Sequence, residues 1–148
     1  LETKHKIFTI GHSNHDIETF LDLLQMHDIK CLADIRRFPA SRRHPQFAAE
    51  NLSRSLIAPD IAYVWLGERM GGFRDGGYDA YIATDEFQIG LTELTTLATR
   101  QTTAFMCAEA NYTGCHRRFA ADELARQNWL VLHILPDGKT MQHQPSLL

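Results

Sequence analysis

Cys107, Cys115, Glu109 and His12 are the side chains in this sequence best suited to chemistry, as nucleophile, supporting thiol and proton carriers. Cys107 closes the apolar run TTAFM (Thr102–Met106), and the loop AEANYTG then delivers the chain to Cys115, His116, Arg117 and Arg118. A thiol close to a helix start and to guanidinium groups has two electrostatic reasons to ionise, the helix dipole and the neighbouring cations. The competing reading for either cysteine is plain packing, since small sulfur side chains are often buried. A disulfide between Cys107 and Cys115, as in a redox switch, also stays open. His12 has the chemistry of a general base at neutral pH, set against a structural histidine beside a helix start. Glu109 is a further candidate acid or base, set against an ordinary loop carboxylate.

The residues that could bind a substrate are Ser13, Asp34, Arg36, Arg42, Arg43, His116 and Arg117. Between Arg36 and Phe47 the segment RRFPASRRHPQF carries four arginines and one histidine with no acidic residue. Each guanidinium offers a planar fork of donors suited to phosphate or carboxylate, while a solvated basic loop is the bland alternative. Asp34 is placed to orient Arg36 or His12. The chain as a whole has 15 Lys plus Arg against 18 Asp plus Glu, a formal charge of −3. A locally cationic mouth on an acidic protein fits a small anionic ligand better than duplex DNA. Single-stranded nucleic acid or nucleotide binding, with Tyr63, Trp65, Phe73 or Tyr78 stacking on bases, is the non-catalytic alternative.

A metal-dependent hydrolase built on Cys107, Cys115 and His116, completed by Glu109, His12, His133 or His143, is a third possibility. Its residue types suit a transition metal, but the close CxxC-type pairs of structural zinc are absent, so no metal ligand and no cofactor is assigned. The glycine-rich stretch GERMGGFRDGGY matches neither a Walker nor a dinucleotide fingerprint and reads as a lid or connector. The segment from Cys107 to Arg117 resembles rhodaneses and cysteine phosphatases in outline. A phosphatase loop would need an arginine where Thr113 stands, so neither class is assigned.

These residues must be positioned by a chain of 148 residues, a length that suits one domain spanning 1–148. With 44% hydrophobic and 22% charged residues it has the composition of a globular protein and not of a disordered one. No stretch approaches the roughly 20 apolar residues of a spanning helix, and the first residues lack the pattern of a secretory signal. A cytoplasmic protein without membrane association is therefore the expectation. Three cysteines, with Cys31 in the apolar run KCLAD, do not make a secreted disulfide framework.

Short apolar runs alternate with amphipathic segments. KIFTI (6–10), KCLAD (30–34), IAYVWL (61–66), TTAFM (102–106) and WLVLHI (129–134) read as five strands. Helices are expected after Ser13 or Asn14 as cap, around 47–57, over most of 78–100, and from near Gly114 or Cys115 to about Gln127. Pro136, Asp137 and Gly138 supply a turn into a short terminal hairpin strand. The alternation predicts an α/β domain, a mostly parallel five-stranded sheet with helices on both faces in a Rossmann-like three-layer sandwich. The order 3-2-1-4-5 is one arrangement that the pattern allows. In such folds the ligand lies beyond the carboxyl ends of the strands, where His12, Asp34, Arg36 and Cys107 gather.

TIGHSN (Thr9–Asn14), ADIRRFPASRR (Ala33–Arg43) with Pro45 and Phe47, MCAE (Met106–Glu109), CHRR (Cys115–Arg118) and HILPDG (His133–Gly138) with His143 together resemble the bacterial and archaeal domain of unknown function 488 family. The likeness runs over nearly the whole chain. It implies that these residues form a common site, and it names no reaction.

Overall fold

The computed structural model describes residues 5–111 and 115–145. Six strands form one sheet: β1 (Lys6–Gly11), β2 (Cys31–Asp34), β3 (Ala62–Trp65), β4 (Thr103–Cys107), β5 (Leu130–Ile134) and β6 (Thr140–Gln142). Between them lie α1 (Ile17–Met26), α2 (Ala49–Ser55), α3 (Gly67–Met70), α4 (Tyr78–Tyr81), α5 (Asp85–Arg100) and α6 (Arg117–Arg126), with a 3-10 turn at Pro45–Phe47. β2 and β4 are buried at every residue, as strands covered by helices on both faces must be.

The sheet order is β3-β2-β4-β1-β5-β6, with β1 to β5 parallel and β6 antiparallel to β5. The three-layer α/β architecture and the terminal hairpin agree with expectation. The order 3-2-1-4-5 does not, because β4 and not β1 pairs with β2. Phe20, Leu24, Leu52 and Phe47 pack with Phe8, Ile10, Leu32 and Met106 on one face of the sheet. On the other, Met70, Phe87, Leu91 and Leu124 pack with Ile7, Ala33, Phe105 and Cys107.

Helix boundaries follow local caps. α1 is capped by Asp16, whose carboxylate accepts from Thr19 N at 2.7 Å, and not by Ser13 or Asn14. The helix expected over 78–100 is broken, because the Thr84 hydroxyl accepts from Phe87 N and starts α5 afresh. The glycine-rich stretch opens with the single turn α3, whose Met70 anchors it in the core. α6 begins at Arg117, and Gly114 lies outside the described residues. Gly138 turns β5 into β6 with a φ of 90°, a left-handed value that glycine accommodates.

Candidate functional site at the carboxyl edge of the sheet

β1 and β4 are neighbours whose following segments part to opposite faces of the sheet. The chain after β1 enters α1 on one face, while the chain after β4 enters α6 on the other. That divergence makes a crevice at the strand ends, where open α/β sheets bind ligands. Pairing continues past the strands: His12 N donates to Cys107 O at 3.0 Å and Ser13 N to Ala108 O at 2.8 Å. Gly11 is required by this closeness, since a Cβ there would fall on the Glu109 carbonyl.

On the α1 side the edge forms a cleft of about 340 Å³ lined by His12, Ser13, Arg36, Arg43, His44 and Glu109. His12 stacks on Phe47 with ring centroids 4.4 Å apart, and its Nδ1 lies 2.8 Å from Ser13 O. A carbonyl only accepts, so Nδ1 carries the proton and Nε2 the lone pair. Burial, reinforced by the charge of Arg36 and opposed by the Ser13 carbonyl, lowers the His12 pKa to about 4. The ring is thus neutral at pH 7 and offers a base on the cleft wall.

Arg36 is committed to its neighbour. Its Nε and Nη2 donate to the two oxygens of Asp34 at 2.9 and 2.7 Å, and Tyr63 Oη donates to Asp34 Oδ2 at 2.6 Å. Asp34 is fully buried and Arg36 nearly so, which makes this a bidentate pair inside the protein. Burial and the Asp34 charge push the Tyr63 pKa up, so its phenol stays a donor. Arg43 is exposed and lines the cleft, whereas Arg42 is exposed and does not line it.

The sulfur chemistry lies on the opposite face. Cys107 points with Phe105 toward α6, where its Sγ is bonded to Cys115 Sγ, the Cα atoms being 7.4 Å apart. Arg117 is 1% exposed. Its Nε donates to Cys107 Sγ at 3.0 Å, Nη1 to Thr9 Oγ1 at 2.9 Å, and Nη2 to the carbonyls of Glu109 and Ala110 at 2.8 and 3.2 Å. Its donors are turned to protein atoms and not to the cleft. Burial lowers the Arg117 pKa to about 10, so the guanidinium remains charged at neutral pH.

His116 Nε2 lies 3.3 Å from Ile35 O and its Nδ1 3.7 Å from Cys115 Sγ. The carbonyl assigns the proton to Nε2, leaving Nδ1 free to accept from Cys115 only once the disulfide is reduced to thiols. Burial lowers the His116 pKa and keeps the ring neutral.

The expected residues therefore fall into two groups. His12, Ser13, Arg36, Arg43 and Glu109 share the cleft, and Cys107, Cys115, His116 and Arg117 meet across the sheet. Asp34 supports the first group from beneath. Thr9, whose hydroxyl bridges Arg117 and His133, escaped sequence reasoning, because a threonine inside a strand carries no local signal. Among the described residues no three His, Cys, Asp or Glu side chains gather in a metal-binding arrangement. No helix of the described residues is long and apolar enough to cross a membrane.

An α/β sandwich with polar residues collected at a β1/β4 switch point defines the class of protein. Residues 16–124 match the family described as Domain of unknown function DUF488, and the chain belongs to that family. No curated protein and no solved structure matches it.

Proposed function

We propose that the protein is an enzyme that uses Cys107 as a thiolate nucleophile on a phosphate-bearing or other small anionic substrate. The observation that carries this reading is the Arg117–Cys107 contact. Among the described residues Arg117 is a buried cation with no carboxylate among its hydrogen-bond partners, and the group touching it that becomes an acid once the disulfide is reduced is Cys107 Sγ. At 3.0 Å and an effective dielectric constant of about 20, attraction to a thiolate is on the order of 5 kcal/mol. That attraction favours the ionised sulfur and opposes the rise that burial gives a thiol. The thiolate displaces the leaving group to form a covalent bond from Cys107 Sγ to the substrate's phosphorus or carbon. Water then cleaves that bond and restores the thiol, with Cys115 as the supporting thiol beside it. The Cys107–Cys115 disulfide is the oxidised form of the pair, which a two-electron thiol reductant opens before turnover. The cleft, across the strand-end edge from the sulfur, would hold the anionic part of a substrate that reaches round that edge, against Ser13, Arg43 and His44.

The test is alkylation of the fully reduced protein across pH, read separately at Cys107 and Cys115 by peptide mass spectrometry. Cys107 is expected to show a midpoint below about 7, against about 8.5 for an ordinary thiol. A Cys107 midpoint at or above the ordinary value overturns the mechanism.

A second reading has its own support. Cleft and sulfur face opposite sides of the sheet, which suits a non-catalytic module that binds nucleotide or single-stranded nucleic acid at the cleft alone. Oligonucleotide binding that weakens steeply with salt and ignores Cys107→Ser would favour it.

A further inference from the structure

Behind Arg117 runs a line of buried polar side chains that the mechanism above does not use. Arg117 Nη1 reaches Thr9 Oγ1 at 2.9 Å, and Thr9 Oγ1 lies 2.6 Å from His133 Nδ1. His133 Nε2 is 2.9 Å from His143 Nδ1, and His143 Nε2 is 2.6 Å from Asp122 Oδ1. Five residues from β1, β5, α6 and the segment after β6 thus form one unbroken path. Thr9, His133, His143 and Asp122 are all buried, at 0, 1, 5 and 5% exposure.

The direction of each bond follows from the two ends. Arg117 only donates, so Thr9 Oγ1 accepts from it and turns its own proton to His133 Nδ1, while Asp122 accepts and His143 donates to it from Nε2. His133 must then donate from Nε2 and accept at Nδ1. Burial keeps His133 neutral, which this order requires. Every donor points toward Asp122, and the far end is an oxygen that can only accept from Arg117.

We propose that Asp122 is a positioning residue for Cys107, acting through His143, His133 and Thr9 to hold the Arg117 guanidinium with its Nε against the sulfur. This rests on the thiolate reading above. The chain sets the orientation of Thr9 Oγ1 and thereby fixes one corner of the guanidinium plane, while the Glu109 and Ala110 carbonyls fix another. With both corners held, Nε is directed at Cys107 Sγ. Among the described residues, Arg117 Nε touches that sulfur, Cys115 is bonded to it with His116 beside Cys115, and the Glu109 carbonyl lies 3.9 Å away, while His133 of β5, His143 and Asp122 of α6 stand behind Thr9. α5 turns only Phe87, Gly90, Leu91 and Leu94 inward.

The sign of the effect separates positioning from simple charge. Asp122 is an anion, so its through-space influence opposes a thiolate, and removing it would lower the Cys107 midpoint. Loss of positioning raises it. The experiment uses the whole reduced chain and measures the alkylation midpoint of Cys107 in wild type, T9V, T9S and D122N. The tautomers of His133 and His143 are read alongside by nitrogen-15 NMR.

Both rings are expected as single Nε2–H tautomers in the wild type. D122N should admit the Nδ1–H form, because an asparagine amide can also donate. T9V and D122N should each raise the Cys107 midpoint by about one unit, a tenfold slower alkylation below it. T9S, which keeps the hydroxyl, should stay within about threefold of wild type. T9V retains Asp122 and the strand-forming shape of Thr9, so it carries the test if D122N fails to fold. A wild-type midpoint below 7 that neither variant moves, or that D122N lowers, overturns the positioning role and leaves the thiolate reading standing. An ordinary wild-type midpoint brings down the thiolate reading and the positioning role with it, and the tautomers then report the hydrogen-bond order alone.

Discussion

Two arginines are buried at the carboxyl edge, and their partners give them opposite roles. Arg36 meets the Asp34 carboxylate in a bidentate pair and is neutralised where it stands. Arg117 meets a sulfur, a hydroxyl and two carbonyls, so its charge is directed at the group able to ionise. The two should therefore fail differently. Arg36→Met strands the Asp34 carboxylate with Tyr63 as its remaining side-chain donor, and the expected loss is about 3 to 5 kcal/mol in chemical unfolding. Arg117→Met removes a buried cation that has no carboxylate to strand, so the loss should be smaller. Its signature is chemical: the Cys107 alkylation midpoint should rise above about 8.5, because burial then acts on the thiol alone. A Cys107 midpoint that stays low in Arg117→Met would mean that something else holds the thiolate.

At the scale of elements, the site depends on how closely β1 and β4 run together past their paired residues. Gly11 packs directly against the backbone of Glu109 and Ala110, with no room for a Cβ. Gly11→Ala must push the 108–110 segment away, and with it the carbonyls that hold Arg117. A loss of about 3 kcal/mol or more is expected in denaturant unfolding; near-wild-type stability would show that the edge is looser than its geometry. Much of this frame was legible in the chain. The apolar runs KCLAD and TTAFM read as buried strands because they are apolar on both faces, and the alternation with helices gave the sandwich. Strand order was not legible, since 3-2-1-4-5 and the observed order place the same sequence in the same layers. The division of the site by the sheet was also hidden. It follows from β4 side-chain parity, which sends Met106 to one core and Cys107 to the other, and from where the loops turn after each strand. The path to Asp122 joins residues as far apart as Thr9 and His133, which no spacing rule connects.

Across the whole molecule, the sheet separates a basic cleft from a sulfur pair while a common backbone edge joins them. Burial at that edge keeps several ionisable side chains uncharged, and this has a consequence for the stability of the entire domain. His12 is lowered to about 4 and His133 to about 3, in both cases chiefly by burial. In the unfolded chain both imidazoles bind protons near the ordinary histidine value of about 6.5. Between that value and about pH 4 the unfolded state therefore holds more protons than the folded one, and stability rises with pH. Worked downward, the contribution is fully present above about pH 6.5, is lost progressively as the pH falls, and levels off once each folded ring also protonates. The two rings together should cost on the order of 5 kcal/mol by pH 4.5, a fall of roughly 10 to 20 °C in Tm for a domain of this size. Thermal melts between pH 7.5 and 4.5 test this, and His12→Gln should flatten part of the slope because its side chain does not titrate. A Tm that holds constant over that range would show that the rings are not kept neutral by the fold, and would remove the base from the cleft wall and the fixed donor order from the path to Asp122.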